Sequence, residues 1–248
     1  SLTVIIEDPK EFILYWIASN FLGVMFIALN TAIKGKGLLH QINTSKSKHV
    51  IVENLFFDEV NNLKNIYKLD VEILNCGELK NKELVKESEV TFGKLSDNVC
   101  SMFTSGTSGP SKGVMMPNAH CVLFAIGTIE NYDLKHDHVF YISLPLFHAN
   151  GLFMQLLACI ITGAKAIIRK RFSASNWLKD IRKYDVTHTN MLGAIAAFVV
   201  AQPTSEHDKD HKLVVIGSAP LPSEPERIFR ERFGVKQVLP LYGMTEVN

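Results

Sequence analysis

Residues 104–113 read Thr-Ser-Gly-Thr-Ser-Gly-Pro-Ser-Lys-Gly, a segment that combines five hydroxyl side chains, three glycines and one lysine. Glycines let backbone N–H groups close on a bulky anion, the hydroxyls add hydrogen-bond donors, and Lys112 adds a mobile positive charge. Apolar runs flank the segment at Val99–Phe103 and Val114–Met116. Clusters of Gly, Ser and Thr also form flexible linkers, but a linker rarely joins two buried strands. The composition therefore predicts a loop that holds a polyphosphate.

This loop differs from the two commonest nucleotide-binding motifs. A Walker loop ends in Gly-Lys-Ser/Thr, whereas here Lys112 follows Ser111 and precedes Gly113. The chain also contains no Gly-x-Gly-x-x-Gly dinucleotide fingerprint. The sequence thus argues against a P-loop NTPase and against a Rossmann dinucleotide site.

Four further segments place glycine, aromatic and polar residues where they could contact a substrate. They are Gly23–Phe26 with Leu29–Thr31, Pro145–His148 followed by Gly151, Gly217–Leu221, and Tyr242–Glu246. Taken singly, each has an ordinary structural interpretation. Tyr242 could pack in a core, Glu246 could be a surface acid, and His148 could be a hydrogen-bonded core histidine.

As an ordered set, the five segments resemble the signature motifs of the AMP-forming adenylating enzymes, which include acyl-CoA synthetases, peptide-synthetase adenylation domains and beetle luciferases. That family's loop reads Thr-Ser-Gly-Thr-Thr-Gly-x-Pro-Lys-Gly, and this chain departs from it at Ser108 and Ser111. Ser108 keeps the hydroxyl, while Ser111 lacks the φ restraint of proline. The resemblance spans almost the whole chain. It implies an enzyme that joins a carboxylate to the α-phosphate of ATP, releases pyrophosphate and, in many members, passes the acyl group to coenzyme A.

The resemblance also implies which residues hold ATP, AMP and Mg²⁺. The β- and γ-phosphates would contact the loop residues Thr104, Ser105, Gly106, Thr107, Ser108, Gly109 and Lys112. Glu246 would bind Mg²⁺ with Thr104 as a second oxygen ligand, since Mg²⁺ takes few protein carboxylates and several phosphate oxygens. Adenine would lie against Gly217, Ser218, Ala219, Pro220, Tyr242 and Gly243.

The implied catalytic residues are His148, Lys112, Thr245 and Glu246. Thr245 would donate to the α-phosphate, and His148 would face the carboxylate, orient the acid and gate the path of the thiol. Positioning and charge neutralisation can supply most of the catalysis in such transfers. The resemblance therefore assigns the chain to acid–thiol ligases, with a small carboxylic acid as substrate.

Shorter segments bear on the acid. Residues 190–195 lie where the family builds its acyl pocket. Three short stretches resemble the crotonobetaine/carnitine-CoA ligase subgroup: Ser111 after Pro110, Ala201–Pro203, and Asp208 with His211. A quaternary ammonium group would need an aromatic or acidic cage, which the sequence does not identify. A short or medium carboxylic acid is expected, and its identity stays open.

Three alternatives remain at this point. An amino-acid adenylation domain would carry an acidic residue near the acyl pocket, and none is placed there. A luciferase-like oxygenase would use the same motifs. Outside the enzymes, the chain could be a non-catalytic nucleotide-binding or interaction module.

Composition limits the other function classes. The chain has 248 residues, of which 47% are hydrophobic, and a net charge of +1, which argues against nucleic-acid binding. Its four scattered cysteines predict buried thiols in a reducing cytoplasm. The uncharged stretch from Phe12 to Leu29 reaches the length of a membrane span, but it is interrupted by polar residues and Gly23. A helix over Pro9–Leu22 capped by Asp8, followed by a strand over Val24–Leu29, is the better interpretation.

Alternation of apolar runs with amphipathic stretches predicts an α/β fold of mostly parallel sheets layered with helices, a partial large N-terminal domain of the acyl-CoA synthetase type. The expected division is a partial first α/β subdomain at 1–96 and a nucleotide-binding subdomain at 97–248. Two segments are expected to be solvated, Glu78–Glu89 and Thr204–Lys212. Within the second, His207 and His211 with neighbouring aspartates could imitate a metal site.

Family members are roughly twice this length, which fits a multidomain protein. The matched motifs leave out the family's ribose-binding aspartate, its hinge and its small C-terminal domain with the catalytic lysine. We therefore expect the chain to be a fragment that does not complete adenylation. Uncovered apolar surface would also favour self-association.

Overall fold

The computed structural model describes residues 1–79, 90, 93–104 and 109–247. Ser105–Ser108 of the predicted phosphate loop lie outside the described residues, as does most of the Glu78–Glu89 segment. The chain divides into two compact units, Ser1–Cys121 and Val122–Asn248. Each unit contains one β-sheet covered by helices.

The first unit is built on a six-stranded sheet in the order β4-β3-β1-β2-β5-β6. The first five strands are parallel, and β6 runs antiparallel to β5. The strands are β1 (Leu2–Ile5), β2 (Phe26–Ala28), β3 (His49–Val52), β4 (Glu72–Asn75), β5 (Asn98–Thr104) and β6 (Lys112–Pro117). The helices are α1 (Pro9–Phe21), α2 (Gly35–Ser45), α3 (Asn54–Tyr67) and α4 (Cys76–Leu79).

Local sequence explains how the first unit begins. The Asp8 carboxylate accepts hydrogen bonds from the backbone N–H groups of Lys10 and Glu11 at 3.0 and 3.2 Å, as an N-cap residue does. Pro9 occupies the first turn of α1, where its missing N–H removes no helical bond. Gly23 takes a φ of +63° after the helix, which ends the turn at little steric cost. The uncharged stretch is thus divided between a helix and a strand, as the sequence predicts.

The second unit is built on a five-stranded parallel sheet in the order β11-β10-β9-β7-β8. Its strands are β7 (Val139–Ile142), β8 (Lys165–Ile168), β9 (His188–Leu192), β10 (Val215–Ala219) and β11 (Gln237–Pro240). Helix α5 (Asn118–Tyr132) crosses the boundary between the units, and a π-helical segment (Asn150–Leu157) continues into α6 (Ala158–Thr162). The remaining helices are α7 (Ala174–Lys183), α8 (Gly193–Val200) and α9 (Ser223–Glu231).

Aromatic side chains form the centre of the second unit's core. Trp177 of α7, Phe229 of α9 and Phe233 are almost fully buried. The ring centroids of Trp177 and Phe229 lie 6.2 Å apart, and they lie 5.8 and 5.7 Å from the Phe233 centroid. Burying rings of this size contributes several kcal/mol of hydrophobic stabilisation, on the order of 2–3 kcal/mol each. The core therefore ties α7 and α9 to the same face of the sheet.

The predicted α/β class with mostly parallel sheets is confirmed, and the strand predicted over Val24–Leu29 is observed as β2, within two residues at its start and one at its end. The division at residues 96 and 97 stays a prediction. In the structure, β5 hydrogen-bonds to β2, and both arms of the phosphate loop belong to the first unit. The four cysteines are buried, as expected.

The segment Thr204–Lys212 is only partly solvated. Asp208 is buried and pairs with Arg232 at 2.5 Å, so this loop is held to the end of α9. His207 pairs with Asp210 instead of converging with His211 on a common point. Over the described ranges, no group of three His, Cys, Asp or Glu side chains could hold a metal ion.

Among the described residues, no helix has both the length and the apolar character needed to cross a membrane.

A buried histidine is expected to make the second unit sensitive to acid. His188 is almost fully buried, donates from Nε2 to the Tyr132 carbonyl at 3.1 Å, and stacks on His138 at 4.4 Å between ring centroids. Burial, reinforced by the neighbouring imidazole, lowers its pKa to about 4. The unfolded chain, with an ordinary pKa near 6.5, then binds the extra proton first as the pH falls. Stability is therefore full above pH ~6.5 and falls by up to about 3 kcal/mol as the pH approaches 4.

Urea unfolding of the second unit, followed by Trp177 fluorescence in a Trp16→Phe background, checks this expectation. His188→Gln should flatten the pH dependence between pH 6.5 and 4, because glutamine keeps a donor and an acceptor without titrating. An unchanged slope in the variant would assign the acid sensitivity to other groups.

Candidate functional site

The phosphate loop connects two antiparallel strands of the first unit. Thr104, the last residue of β5, is paired in register with Lys112, the first residue of β6. The two arms on either side of the loop are therefore fixed by the sheet. Lys112 is exposed at the start of β6, and its role in binding an anion stays a prediction.

Helix α2 holds the second arm of this loop. The His40 ring nitrogen Nε2 lies 2.9 Å from the Ser111 carbonyl oxygen, and Gln41 Nε2 donates to the Ser111 hydroxyl at 3.1 Å. Gln41 is almost fully buried, so its side chain is a fixed donor. Two hydrogen bonds thus restrain Ser111, where the family's loop has the ring of proline. Sequence reasoning missed His40 and Gln41, because nothing local to α2 marks them as partners of the loop.

In the second unit, the predicted segments lie at the carboxyl edge of the sheet. The Pro145–His148 turn follows β7, residues 190–195 end β9 and begin α8, the Gly217–Pro220 segment ends β10, and Tyr242–Glu246 follows β11. Because these four strands are parallel, their carboxyl ends share one edge. Open parallel sheets bind ligands in the crevice outside that edge. Segments up to a hundred residues apart are therefore brought to one side of this unit.

The turn that carries His148 is tightly packed against its own helix. The His148 N–H donates to the Pro145 carbonyl at 3.2 Å, and the His148 carbonyl accepts from Leu152 N–H at 3.0 Å. A Cβ on Gly151 would lie 2.4 Å from the Pro145 carbonyl oxygen and 2.9 Å from that of Leu144. Only glycine fits at this point, because both obstacles are backbone atoms.

Gly151→Ala is expected to destabilise the second unit by about 1–3 kcal/mol, since the turn must move to admit one methyl group. Urea unfolding followed by Trp177 fluorescence measures the loss. Gly127→Ala is the matched control, because a Cβ at this exposed position of α5 meets nothing within 4 Å. That control should be neutral or more stable by up to about 1 kcal/mol. Equal stabilities for the two variants would contradict the packing described for the turn.

His148 is positioned to remain a neutral imidazole. Part of its side chain is exposed, yet the surrounding atoms desolvate the ring and lower its pKa below the usual value. Its ring lies 4.7 Å from the Phe147 ring, between centroids. A neutral imidazole near pH 7 can accept or donate a hydrogen bond to a carboxylic acid without adding charge.

A chain of amide side chains lies directly beyond His148. Asn150 Oδ1 accepts from Gln155 Nε2 at 2.8 Å and from Asn190 Nδ2 at 3.1 Å. Gln155 and Asn190 are fully buried, and the carbonyl oxygen of each has no hydrogen-bond partner among the described residues. These bonds fix the start of the π-helical segment to β9, and therefore fix the turn that presents His148.

The Gly217–Pro220 segment is packed from below by Tyr132. A Cβ on Gly217 would lie 1.6 Å from the Tyr132 hydroxyl oxygen, so the tyrosine occupies that space. The Ser218 hydroxyl donates to the Pro220 carbonyl at 2.7 Å. The start of α8 also packs closely against this segment, because a Cβ on Gly193 would lie 2.8 Å from the Pro220 carbonyl oxygen. The need for glycine at 217 thus comes from core packing, and a close approach of adenine there stays a prediction.

The terminal segment is tied to the same loop. Leu241 N–H donates to the Ser218 carbonyl at 2.8 Å, and Tyr242 follows with 91% of its surface exposed. A tyrosine exposed to this extent, beside a loop without bulky side chains, offers a ring face for a planar base. A bridge between Met244 and Val247 closes a turn around Thr245 and Glu246.

Thr104 and Glu246 are the two predicted magnesium ligands. A hydroxyl and a carboxylate are both hard oxygen donors, so their chemistry fits Mg²⁺, which completes its shell with water and phosphate oxygens. Thr104 ends β5 of the first unit, and Glu246 is an exposed carboxylate of the second. That the two serve one ion, and that both units contact one nucleotide, stays a prediction.

The fold is that of an α/β protein in which the predicted segments of the second unit follow parallel strands at one carboxyl edge. A family model described as "AMP-binding enzyme" matches residues 3–248. The chain therefore belongs to the AMP-binding enzyme family.

Known relatives agree with this assignment. The chain is 26% identical to mouse "Long-chain fatty acid transport protein 6" over all of its own length and 42% of that protein. It is 27% identical to the "Medium/long-chain-fatty-acid–CoA ligase FadD17" of Mycobacterium marinum over 93% of this chain and 45% of that one. The chain thus spans less than half the length of these relatives.

Solved structures show the same fold. The Bacillus subtilis o-succinylbenzoate coenzyme A synthetase in complex with AMP superimposes with a TM-score of 0.85 at 25% identity, covering 99% of this chain and 49% of that one. The same enzyme in complex with ATP and magnesium ion gives a TM-score of 0.86 at 24% identity, with 99% and 50% coverage. These comparisons support the family and the fold, and leave the roles of single residues as predictions.

Proposed function

We propose that this chain carries the nucleotide- and acid-binding part of an AMP-forming carboxylic acid–CoA ligase. In the first step a carboxylate oxygen attacks the α-phosphorus of ATP, the bond to the β-phosphate oxygen breaks, and pyrophosphate leaves. In the second step the thiol of coenzyme A attacks the acyl carbon and AMP leaves. The observation that carries the proposal is the placement of three motif segments and of residues 190–195 at one carboxyl edge, in a chain matched by the AMP-binding family over nearly its full length.

Each unit would contribute a different part of the reaction. The hairpin of the first unit, with Thr104 and Lys112 at its base, would hold the β- and γ-phosphates and offset their charge. The second unit would place adenine against Tyr242 and the Gly217–Pro220 segment, with His148 near the acid. Mg²⁺ held by Glu246 and Thr104 would neutralise charge on the phosphates.

The acid is proposed to be a short or medium carboxylic acid. Two relatives carry fatty-acid names, one of them a medium/long-chain-fatty-acid–CoA ligase, which favours an aliphatic chain. The resemblance to crotonobetaine/carnitine-CoA ligases rests on the short stretches around Ser111, residues 201–203 and Asp208, and it stays a hypothesis. The buried amide chain from Asn150 to Asn190 lies beside the expected acyl pocket and adds polar groups there.

Calorimetric titration tests the nucleotide part of the proposal. The chain should bind AMP, and Tyr242→Ala should weaken that binding about tenfold, since stacking of a base on an aromatic ring contributes ~1–3 kcal/mol. GTP serves as the control nucleotide, and Tyr184→Ala as the control variant. Absence of AMP binding, or equal affinity in the Tyr242→Ala variant, would overturn the assignment of the adenine site.

A stable mimic of the acyl-adenylate tests the acid part. Octanoyl-sulfamoyladenosine should bind at least about tenfold more tightly than sulfamoyladenosine, because the acyl chain gains a buried apolar site. A nucleotide-binding module without an acyl pocket would bind the two compounds equally. Comparison of octanoyl, palmitoyl and trimethylammonium-bearing derivatives would then identify the acid.

Three finer points also stay proposals. The inability of this chain alone to complete adenylation is tested by a sensitive pyrophosphate-release assay, in which turnover with any carboxylic acid would contradict it. A cytoplasmic location is suggested by four buried free cysteines. Self-association is suggested by exposed apolar side chains such as Phe21, Ile66 and Phe198.

A further inference from the structure

A cavity in the second unit lies away from the carboxyl-edge segments. Its volume is about 370 Å³, and it is formed by α7, the end of α8, the loop after α8 and the residues that follow α9. This volume falls within the range of small-molecule sites, roughly 300–1,000 Å³. We propose that it is an accessory binding site for a small amphipathic anion, an aromatic or short aliphatic body that ends in a carboxylate.

The floor of the cavity is apolar and aromatic. Trp177, Val199 and Phe233 line it, and all three are buried to 98% or more. Leu178 extends the same surface. A planar ring or a short alkyl chain would therefore meet carbon atoms on this side, as ligands do in most small-molecule pockets.

One polar atom in this floor lacks an internal partner. The indole N–H of Trp177 is buried and forms no hydrogen bond within the described part of the chain. A buried N–H without an acceptor is destabilising. Because Trp177 lines the cavity, an occupant that contacts its ring changes the environment of this N–H.

The rim of the cavity is rich in donors. Lys179 is exposed at its edge, and the Arg182 guanidinium is fixed there by donating from Nε to the Asp210 carbonyl at 3.2 Å and from Nη2 to the His207 carbonyl. The first residues of α7, Ala174 and Ser175, also line the cavity. The residue before that helix makes no side-chain cap, so backbone N–H groups of its first turn add to the positive end of the helix.

The single carboxylate among the lining residues is already neutralised. Asp208 accepts from Arg232 Nε at 2.5 Å and from Ser205 N–H at 3.0 Å. The remaining cations, Lys179 and Arg182, leave the lining with a net positive charge. Donors and positive charge above an apolar floor select an amphipathic anion over a neutral or cationic compound.

The Trp177 indole provides a specific readout of occupancy. The chain has two tryptophans, so a ¹⁵N-labelled sample gives two indole N–H signals in NMR. The signal that is lost in the Trp177→Phe variant belongs to Trp177. Titration with 2-naphthoate should shift the Trp177 signal saturably and leave the Trp16 signal in place. The neutral isostere 2-naphthamide should bind about tenfold more weakly, because it lacks the charge.

A matched pair of variants on α7 tests the contribution of the rim. Lys179→Glu should weaken naphthoate binding by about tenfold or more, while Lys183→Glu, the same charge change outside the cavity, should change it less than about twofold. Four results would overturn the proposal: no saturable shift up to about 5 mM naphthoate, equal affinity for the amide, equal shifts of both indole signals, or equal effects of the two variants. None of these results depends on AMP binding, so failure of this proposal can be distinguished from failure of the proposed function.

Discussion

Replacing Arg232 by methionine is expected to lower the free energy of unfolding of the second unit by about 3–5 kcal/mol, because the change leaves a buried carboxylate without its partner. The guanidinium donates to Asp208 at 2.5 Å and to the carbonyl groups of Val200, Gln202 and Pro203 at 3.1, 2.8 and 2.7 Å. Only 15% of the Arg232 side chain and 5% of the Asp208 side chain are exposed. A single planar guanidinium therefore satisfies the carbonyl groups at the end of α8 and in the loop that follows it.

The pKa of Asp208 offers an independent readout. Burial raises this pKa, but the hydrogen bonds from Arg232 and from Ser205 N–H outweigh burial and hold it below its ordinary value. Stability from this carboxylate is therefore present above pH ~3.8 and is lost as the pH falls through the folded-state pKa. In the Arg232→Met variant burial should raise the folded-state pKa above that of the unfolded chain, so the acid loss from this group should disappear and stability should instead increase as the pH falls through that raised pKa.

Arg227→Met is the matched control on the same helix. Arg227 pairs with Glu231 at 2.7 Å, but both side chains are about 60% exposed. An exposed pair of this kind contributes at most ~0.5 kcal/mol. The loss of stability in Arg232→Lys should lie between those of Arg232→Met and Arg227→Met, because lysine keeps the charge but lacks the planar set of donors. Similar losses for Arg232→Met and Arg227→Met would contradict the buried network.

Gly217→Ala is expected to destabilise the second unit by about 3 kcal/mol or more, since its methyl group would overlap the Tyr132 hydroxyl. Tyr132 cannot retreat easily, because its ring is almost fully buried and packs on Phe140 at 5.8 Å and on His188 at 6.4 Å, between centroids. The overlap therefore has to be relieved by moving β10 or the ring stack. Urea unfolding followed by Trp177 fluorescence measures the effect.

A double-mutant cycle with Tyr132→Phe assigns the cause. Removing the hydroxyl should increase the closest approach to the new Cβ from 1.6 Å to the 2.7 Å of the ring carbon, so the double variant should recover part of the loss. Tyr132→Phe alone should be neutral or stabilising, because the hydroxyl is buried without a partner among the described residues. A coupling energy below about 0.5 kcal/mol would show that the loss arises elsewhere.

Local patterns were enough to predict the α/β class and the start of the first helix. Apolar runs bounded by polar residues located the strands, and Asp8 with Pro9 marked the start of α1, because these signals act within a few residues. Three of the motif segments, Pro145–His148, Gly217–Leu221 and Tyr242–Glu246, also begin where apolar runs end. A parallel sheet then brings such segments to one edge without further information.

Contacts between distant residues could not be predicted from sequence. His40 holds Ser111 from 71 positions away, and Arg232 reaches Asp208 across 24. Tyr132 of α5 fills the space beside Gly217 of β10. Each depends on tertiary packing, and no local spacing distinguishes these side chains from ordinary surface or core residues.

The central proposal is that Lys112 of the hairpin and Glu246 of the terminal segment both contribute to the binding of Mg-ATP. Calorimetric titration of the chain with Mg-ATP should give one site, and Lys112→Ala and Glu246→Gln should each weaken it at least about tenfold. Lys165→Ala and Glu231→Gln, both exposed positions outside the motifs, should leave the affinity unchanged. Absence of binding, or an unchanged affinity in either motif variant, would contradict the account.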